Sequence, residues 1–554
     1  MSLKTHLQVL EDSAEKYPTR PVFQLPILST GRTDVVRWTP ILYSQFKSDV
    51  ENYSKFWAKT LSSDGVPQRS VVGLWLAGLS YSDVLHIYGV ARASYIPQLF
   101  SLRLPNPTII YELLQKAEGQ ALIYDPSFAD IVADSPVPAH AATSVREEDV
   151  EDEIISPLSQ ISLEETDIVM IFHTSGSTSG RPKLVRCSLK WLDNIVYKAW
   201  QVSRPKDPER QDVSVWMGSV CHIGQTFMLI GALQHGSCTI QPSVISFSSD
   251  ELVAMIAQCS LNRLNQFATF LTTHLRNSQH NPKLLELLHG LDEVLYSGLP
   301  LGRDEEQWAI EKGLKLRNLF GNTESGAMLL SIGGDGEDSR LLQPLDGTVY
   351  EFAAVASSSS ASPPPSPSSP SSDATTHRNA NASSNLLELV IRSESGDCPD
   401  PSLRHADGNY HTGDLFLEVA PHAYAPRGRD DDWIKSENSL RCDTRAIEAN
   451  VLATCSDVVA ACVVVGNGRP SPALFVEPRT PGADPARLRR DVLRRTRHLN
   501  AGLYLHEKIT NPALVLVVPQ GTLPRTATKG NIRRQAVEEA FKDVLDRIYN
   551  GLRA

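Results

Sequence analysis

The stretch HTSGSTSGRPK, residues 173–183, packs hydroxyls and glycines ahead of a lysine. Thr174, Ser175, Ser177 and Thr178 offer hydroxyl donors. Gly176 and Gly180 let backbone N–H groups come close to a ligand, and Lys183 adds a positive charge. It is not a Walker A loop, which needs G-x-x-x-x-G-K-[ST], because Gly180 is followed by Arg-Pro. Alone, the stretch reads as a surface loop somewhat more readily than as a phosphate cradle.

Four later segments carry related chemistry. LFGNTESG (319–326) sets Thr323 beside Glu324, a hard oxygen ligand of the kind Mg²⁺ takes beside substrate phosphates. YHTGDLF (410–416) presents Asp414 in a turn, where a carboxylate accepts hydrogen bonds from ribose hydroxyls. GRDDDW (428–433) brings Arg429, a fork donor for phosphate or sugar oxygens. LPRTATKGNIRR (523–534) offers Lys529 between a proline-led turn and a helix. Each also reads as a turn acid, a cap or a solvated base.

The elements around these segments must position them. Short apolar runs at 70–78, 95–100, 120–126, 167–174, 291–298 and 314–321 read as strands. Residues 5–16, 80–94 and 189–200 read as helices. This alternation predicts an α/β protein with parallel or mixed sheets flanked by helices. Ligands of such sheets bind beyond the carboxyl ends of strands, and the 167–174, 291–298 and 314–321 runs end there in Ser, Gly, Thr or Glu. Residues 356–384 are a low-complexity Ser/Pro tract. Such a tract cannot bury enough apolar surface to order itself, so it is expected to be a disordered insertion at a hairpin tip, with a domain linker as the alternative. The polar segment 425–435 marks the expected boundary between a large unit, 1–428, and a small mobile α+β unit, 429–554.

Composition narrows the partners. The 554-residue chain carries 53 Lys+Arg against 64 Asp+Glu, a net charge of −11, which argues against a nucleic-acid partner. The basic run at 486–498 has Leu488, Val492 and Leu493 between its arginines and reads as a solvated helix face. Eight cysteines include no C-x-x-C pair, so a zinc ribbon is unsupported. The N-terminal residues have no signal-peptide core, and no apolar run approaches the length of a spanning helix. A cytoplasmic protein with reduced thiols and no membrane partner is expected. In that setting the sequons at Asn52 and Asn381 carry no meaning.

Taken in order, the five segments resemble the adenylate-forming superfamily: acyl-CoA synthetases, nonribosomal peptide synthetase adenylation domains and luciferases. The likeness runs from about residue 5 to 549 through Thr174–Lys183, Phe320–Glu324, Tyr410–Asp414, Gly428–Lys435 and Pro524–Lys529. The C-terminal stretches look like the fungal synthetase and carboxylic acid reductase branch. The resemblance implies that ATP and a carboxylic acid give an acyl-adenylate and pyrophosphate, and that a thiol then displaces AMP. It places the phosphates at Thr174, Ser175, Gly176, Ser177, Thr178, Gly180 and Lys183. It gives Mg²⁺ to Glu324, the α-phosphate to Thr323, and the ribose to Asp414 with Arg429 nearby. Ser297, Gly298, Asn318, Phe320, Gly321 and Asn322 would surround the nucleotide. Lys529 would bridge carboxylate and phosphate in the first step, and Asp431 matches the hinge about which the small unit turns. The loop departs from the usual pattern by one extra residue, Ser179, and the C-terminal motif reads Lys529-Gly530 in place of Gly-Lys.

SVCHIGQTF (219–227) matches the segment that opens the acid pocket, with His222 where α-amino-acid-activating members carry an aspartate. A histidine there disfavours an α-amino acid and favours an aryl, α-keto or aliphatic one. Phe267, Ala268, Thr269, Phe270, Ser297, Ser325 and Gly326 complete the expected walls. Three functions follow. The first loads the phosphopantetheine thiol of a carrier protein, in cis beyond this chain or in trans, as in fungal secondary metabolism. The second is a free-standing acyl- or aryl-CoA ligase. The third is a non-catalytic nucleotide-binding relic.

Overall fold

A computed structural model describes residues 3–29, 35–101, 106–132, 134–160, 162–174, 182–334, 336–355, 386–429, 433–435, 441–503, 507–525 and 530–553. Local signals set its elements. Thr5 and Gln8 form a capping box on helix His6–Lys16, and Ser80 and Asp83 form another on Tyr81–Arg92. Ser188 caps helix Leu189–Val202 by accepting from the Trp191 N–H. The basic run forms helix Pro485–Arg495, which buries Leu488 and Val492 and leaves arginines outward. The described C-terminal residues form two helices, Arg534–Ala540 and Lys542–Arg553.

Two sheets build the larger unit. In the first, strands Leu316–Asn322, Glu293–Ser297, Arg263–Phe267, Val213–Val215, Cys238–Ile240 and Pro21–Leu28 lie side by side and parallel. Antiparallel strands extend it at both ends: Val35–Leu42 on one, and Gly326–Ser331, Leu342–Pro344, Ala423–Arg429, Tyr410–Ala420, Leu387–Ile391 and Tyr350–Ala354 on the other. The second sheet orders Ala139–Ala141, Ala121–Tyr124, Val71–Leu76, Ile96–Ser101, Ile168–His173 and Leu184–Ser188, with only the last pair antiparallel. The sheets are therefore mixed. One core joins them: Phe23 of the first, Val72, Leu74 and Phe172 of the second, and Trp57, Trp191, Ile195 and Phe227 from helices.

Two segments differ from the sequence reading. Asp414 lies in strand Tyr410–Ala420, not a turn, and Gly428 and Arg429 end strand Ala423–Arg429. Pro426 sits within that strand, which made it read as a loop. The arms flanking the Ser/Pro tract pair antiparallel, from Tyr350↔Ile391 to Ala354↔Leu387. The tract itself lies outside the described residues.

A smaller unit follows. Strands Val459–Val465, Ala473–Pro478 and Val515–Val517 form a sheet. Its core begins at Ile434 and Cys442 and takes in Ile447, Phe475, Val492, Val537 and Tyr549.

Candidate active site

The carboxyl ends of neighbouring parallel strands meet at one place. Phe267 pairs with Ser297, and Ser297 with Leu319. The Ser297 hydroxyl donates to the Leu319 carbonyl at 2.7 Å. Gly298 follows at φ +88°, and a Cβ there would lie 3.0 Å from the Phe267 ring. Asn318 donates its N–H to the Ser331 hydroxyl at 2.9 Å, and Phe320 packs edge-on against Phe416 at 5.2 Å. Beyond this strand the chain turns sharply. Asn322 Oδ1 accepts from the Ser325 N–H at 2.8 Å, and Gly321 lies so close to the Gly326 carbonyl that no side chain fits.

That turn carries Thr323 and Glu324. Burial raises the Glu324 carboxyl above the usual range, while the charges of Arg429 and Lys183 and a hydrogen bond from the Tyr410 phenol pull it down. The Tyr410 phenol is itself raised, first by burial and then by Glu324. Asp414 is buried directly opposite Arg429 in the strand register, with Arg429 Nη1 3.5 Å from Asp414 Oδ1. Its N–H donates to the Thr412 hydroxyl at 3.0 Å. Gly413 takes φ +70°, and its N–H donates to Glu388 Oε1 at 3.1 Å. Two carboxylates and two cations from three distant parts of the chain thus share one site.

The loop between Thr174 and Lys183 closes at its ends. The Thr174 N–H donates to the Lys183 carbonyl at 3.1 Å, and the Lys183 N–H to the Thr174 hydroxyl at 3.2 Å. Ser175, Gly176, Ser177, Thr178, Ser179 and Gly180 lie outside the described residues, as do Asp431 and Lys529.

Sequence reasoning missed His173, one residue before the loop. Its ring stacks on Phe100 at 4.4 Å, its Nδ1 lies 2.9 Å from the Leu99 carbonyl and its Nε2 3.1 Å from the Gln98 amide nitrogen. Those partners fix the neutral tautomer with the proton on Nδ1. Burial holds its pKa down at about 4. An imidazole ending an apolar strand was the available signal.

Of the expected pocket walls, His222 is the N-cap of helix Ile223–Gln234, and its charge bears on His173. Gly326, at φ +67°, faces Ile195 and Ile223, which brings the Ser325–Gly326 turn to the same helix start. Ser325 is fully buried, Phe270 half-buried and Thr269 exposed on helix Ala268–Gln279.

Among the described residues, no group of three His, Cys, Asp or Glu could hold a metal alone. One carboxylate beside cations suits Mg²⁺, which binds through one or two carboxylates, waters and substrate phosphates. Glu324 fits that demand.

Two sheets, a small C-terminal unit and a charged cluster at strand ends define an adenylate-forming enzyme. Residues 10–349 match the AMP-binding enzyme family, and residues 431–553 the AMP-binding enzyme C-terminal domain; the chain belongs to this family. It is 34% identical over 533 residues to the AMP-binding domain-containing enzyme iboA of Amanita muscaria (strain Koide BX008), covering 94% of this chain and 98% of that protein. It is 24% identical to the adenylate-forming reductase stbB of Stachybotrys bisbyi, covering 92% of this chain but 46% of the reductase. Its fold is similar to that of o-succinylbenzoate CoA synthetase from Bacillus subtilis bound to its acyl-adenylate, with a TM-score of 0.70, 14% identity, and 97% and 99% of the two chains covered. It is also similar to the anthranilate CoA ligase AuaEII bound to anthranoyl-AMP, with a TM-score of 0.68, 16% identity, and 97% of each chain covered. The chain is an enzyme that adenylates a carboxylic acid with ATP. Membership favours catalysis over the relic alternative.

Proposed function

We propose that this enzyme activates a small acid bearing no ammonium beside its reacting carboxylate, of aryl, α-keto or aliphatic type, and passes the acyl group to the phosphopantetheine thiol of a carrier protein. The convergence of Glu324, Tyr410, Asp414, Arg429 and Lys183 carries the reading. A carboxylate oxygen attacks the α-phosphorus of ATP, and the bond to pyrophosphate breaks. Both reactants are anions, so the step needs charge neutralisation and alignment more than proton transfer. In this reading Lys183 and the loop from Thr174 hold the terminal phosphates, and Thr323 donates to the α-phosphate. Glu324 holds Mg²⁺, which supplies charge neutralisation there. Asp414 accepts from the ribose, with Arg429 fixing its carboxylate. Ser297, Gly298, Asn318 and Phe320 frame the base. Lys529 bridges carboxylate and phosphate.

The choice of acid is supported by His222. It begins a helix whose free N–H groups carry partial positive charge, a poor neighbour for an ammonium. The two-unit division near 428–429, with a hinge at Asp431, is supported by Arg429 ending the large sheet and Ile434 entering the second core. A cytoplasmic setting is supported by eight buried cysteines, none in a disulfide. No helix among the described residues is long and apolar enough to cross a membrane.

A CoA ligase is the second reading, favoured by the likeness to the two CoA-ligating enzymes. Pyrophosphate exchange across a panel of carboxylic acids tests the first step. One acid outside the α-amino class should exchange strongly, and K529A should abolish it. Exchange with α-amino acids alone would refute the substrate assignment. Acyl transfer to free CoA but to no carrier protein would refute the acceptor.

A further inference from the structure

Helix Leu189–Val202 presents Trp191, Ile195 and Lys198, spaced i, i+4 and i+7, to the back of the turn bearing Thr323 and Glu324. Trp191 Nε1–H donates to the Glu324 carbonyl at 3.0 Å, and Lys198 Nζ to the Ser325 carbonyl at 2.8 Å. The Lys198 ammonium is wholly buried, 2.6 Å from the equally buried Asp397 carboxylate. Asp397 also accepts from the Ser395 hydroxyl at 2.5 Å and from the Tyr350 phenol. Tyr350 precedes the Ser/Pro tract and Asp397 follows it, so the two sides of that hairpin meet at the carboxylate that pairs with Lys198.

A buried ion pair gives little stability that an apolar pair of equal volume would not give. What it supplies is geometry. An ammonium locked by a carboxylate holds its remaining N–H bonds in fixed directions, and here one of them grips the active-site turn. We propose that Lys198, anchored by Asp397 and aided by Trp191, is a positioning residue: it holds the Ser325 carbonyl while Trp191 holds the Glu324 carbonyl, and the two together fix the Glu324–Gly326 backbone and so aim the Thr323 hydroxyl and Glu324 carboxylate. The role rests on the reading of Thr323 and Glu324 as phosphate and Mg²⁺ ligands.

The test compares K198M/D397N, which removes the donor but leaves Ser395 and Tyr350 an acceptor, with D397N, which keeps an N–H at residue 198. Amide hydrogen exchange over 322–326 and pyrophosphate-exchange kinetics are read on both. In K198M/D397N the turn should exchange about tenfold to a hundredfold faster, the loss expected for one hydrogen bond to a charged group, and kcat should fall alike. The KM for the acid should stay within about threefold, because a displaced phosphate-binding turn acts in the transition state. D397N, whose amide oxygen can still accept from Lys198 but carries no charge, should lose less than K198M/D397N in both. Wild-type behaviour of K198M/D397N, or equal losses in both variants, overturns the proposal. If K198M/D397N does not fold, W191F carries the test: faster exchange at 322–326 supports the bracket and unchanged exchange overturns it. Amide exchange needs no turnover. A wild-type enzyme idle with every acid would sink the adenylation reading while this comparison still decides the role of Lys198.

Discussion

Replacing Gly326 by alanine should expose how tightly the active-site turn is built. Gly326 sits at φ +67°, where any other residue pays about 1–2 kcal/mol for the left-handed conformation. A Cβ there would lie 2.6 Å from Ile195 Cδ1, and Ile195 is fully buried, so it has nowhere to swing. Overpacking of that kind adds about 1–3 kcal/mol, giving roughly 2–5 kcal/mol in all for G326A. I195V alone should destabilise by about 0.5–1.5 kcal/mol. The double variant should recover the overlap but not the backbone strain, a favourable coupling of about 1–3 kcal/mol. Urea titration followed by tryptophan fluorescence measures this. Seven of the eight tryptophans precede residue 430, so the signal reports the larger unit. G326A destabilising by less than about 1 kcal/mol, or two single effects that simply add, would refute the steric account.

Glu324 should trade stability for activity. Burial raises its pKa, so its ionised form destabilises the fold above the unfolded carboxyl pKa and not below it. E324Q should therefore raise Tm at pH 7.5, lose that gain near pH 4, and cut pyrophosphate exchange by about a hundredfold or more; a lowered Tm at pH 7.5 contradicts this. His6, His86, His173 and His274 are each held down at about 4 by burial. Their contribution is present above pH 6.5 and lost as pH falls towards 4, at about 1.4 kcal/mol per pH unit for each histidine. Urea titrations at several pH values should show H173Q losing stability with a slope shallower by about one proton, and an unchanged slope speaks against it. D431P should keep pyrophosphate exchange and slow thioester formation at least about tenfold, and equal losses in both steps argue against a hinge.

Much of this architecture was readable because its signals are local. The runs at 5–16, 80–94 and 189–200 read as helices and form them, and apolar runs ending in small polar residues announced the strand ends at Ser297 and Asn322. Helix Ile223–Gln234 was legible only as a motif, because ten of its twelve residues are buried and an all-buried helix has no polar face to mark its period. Strand Ala423–Arg429 was masked by Pro426 and Gly428, residues that usually end strands. The Lys198–Asp397 pair spans 199 positions of sequence, a separation no local pattern can bridge. Tyr410 opens the YHTGDLF segment, yet its bond to Glu324 forms only when the fold joins strands far apart in the chain.

The pairing of Asp414 with Arg429 across a hairpin has a consequence for how such a site can change through descent. Side chains alternate along a strand, so a slip of one position turns every residue to the opposite face. The turn between the two strands is only Pro421-His422, and His422 already takes the left-handed φ of 57°. Two register shifts, between Asp414 and Phe416 and between Glu418 and Ala420, set the frame in which Arg429 meets Asp414. Point changes between those positions leave the frame intact. A single inserted or deleted codon there would part the pair at once, whereas the same event among residues 356–385, between arms already paired, need not shift it.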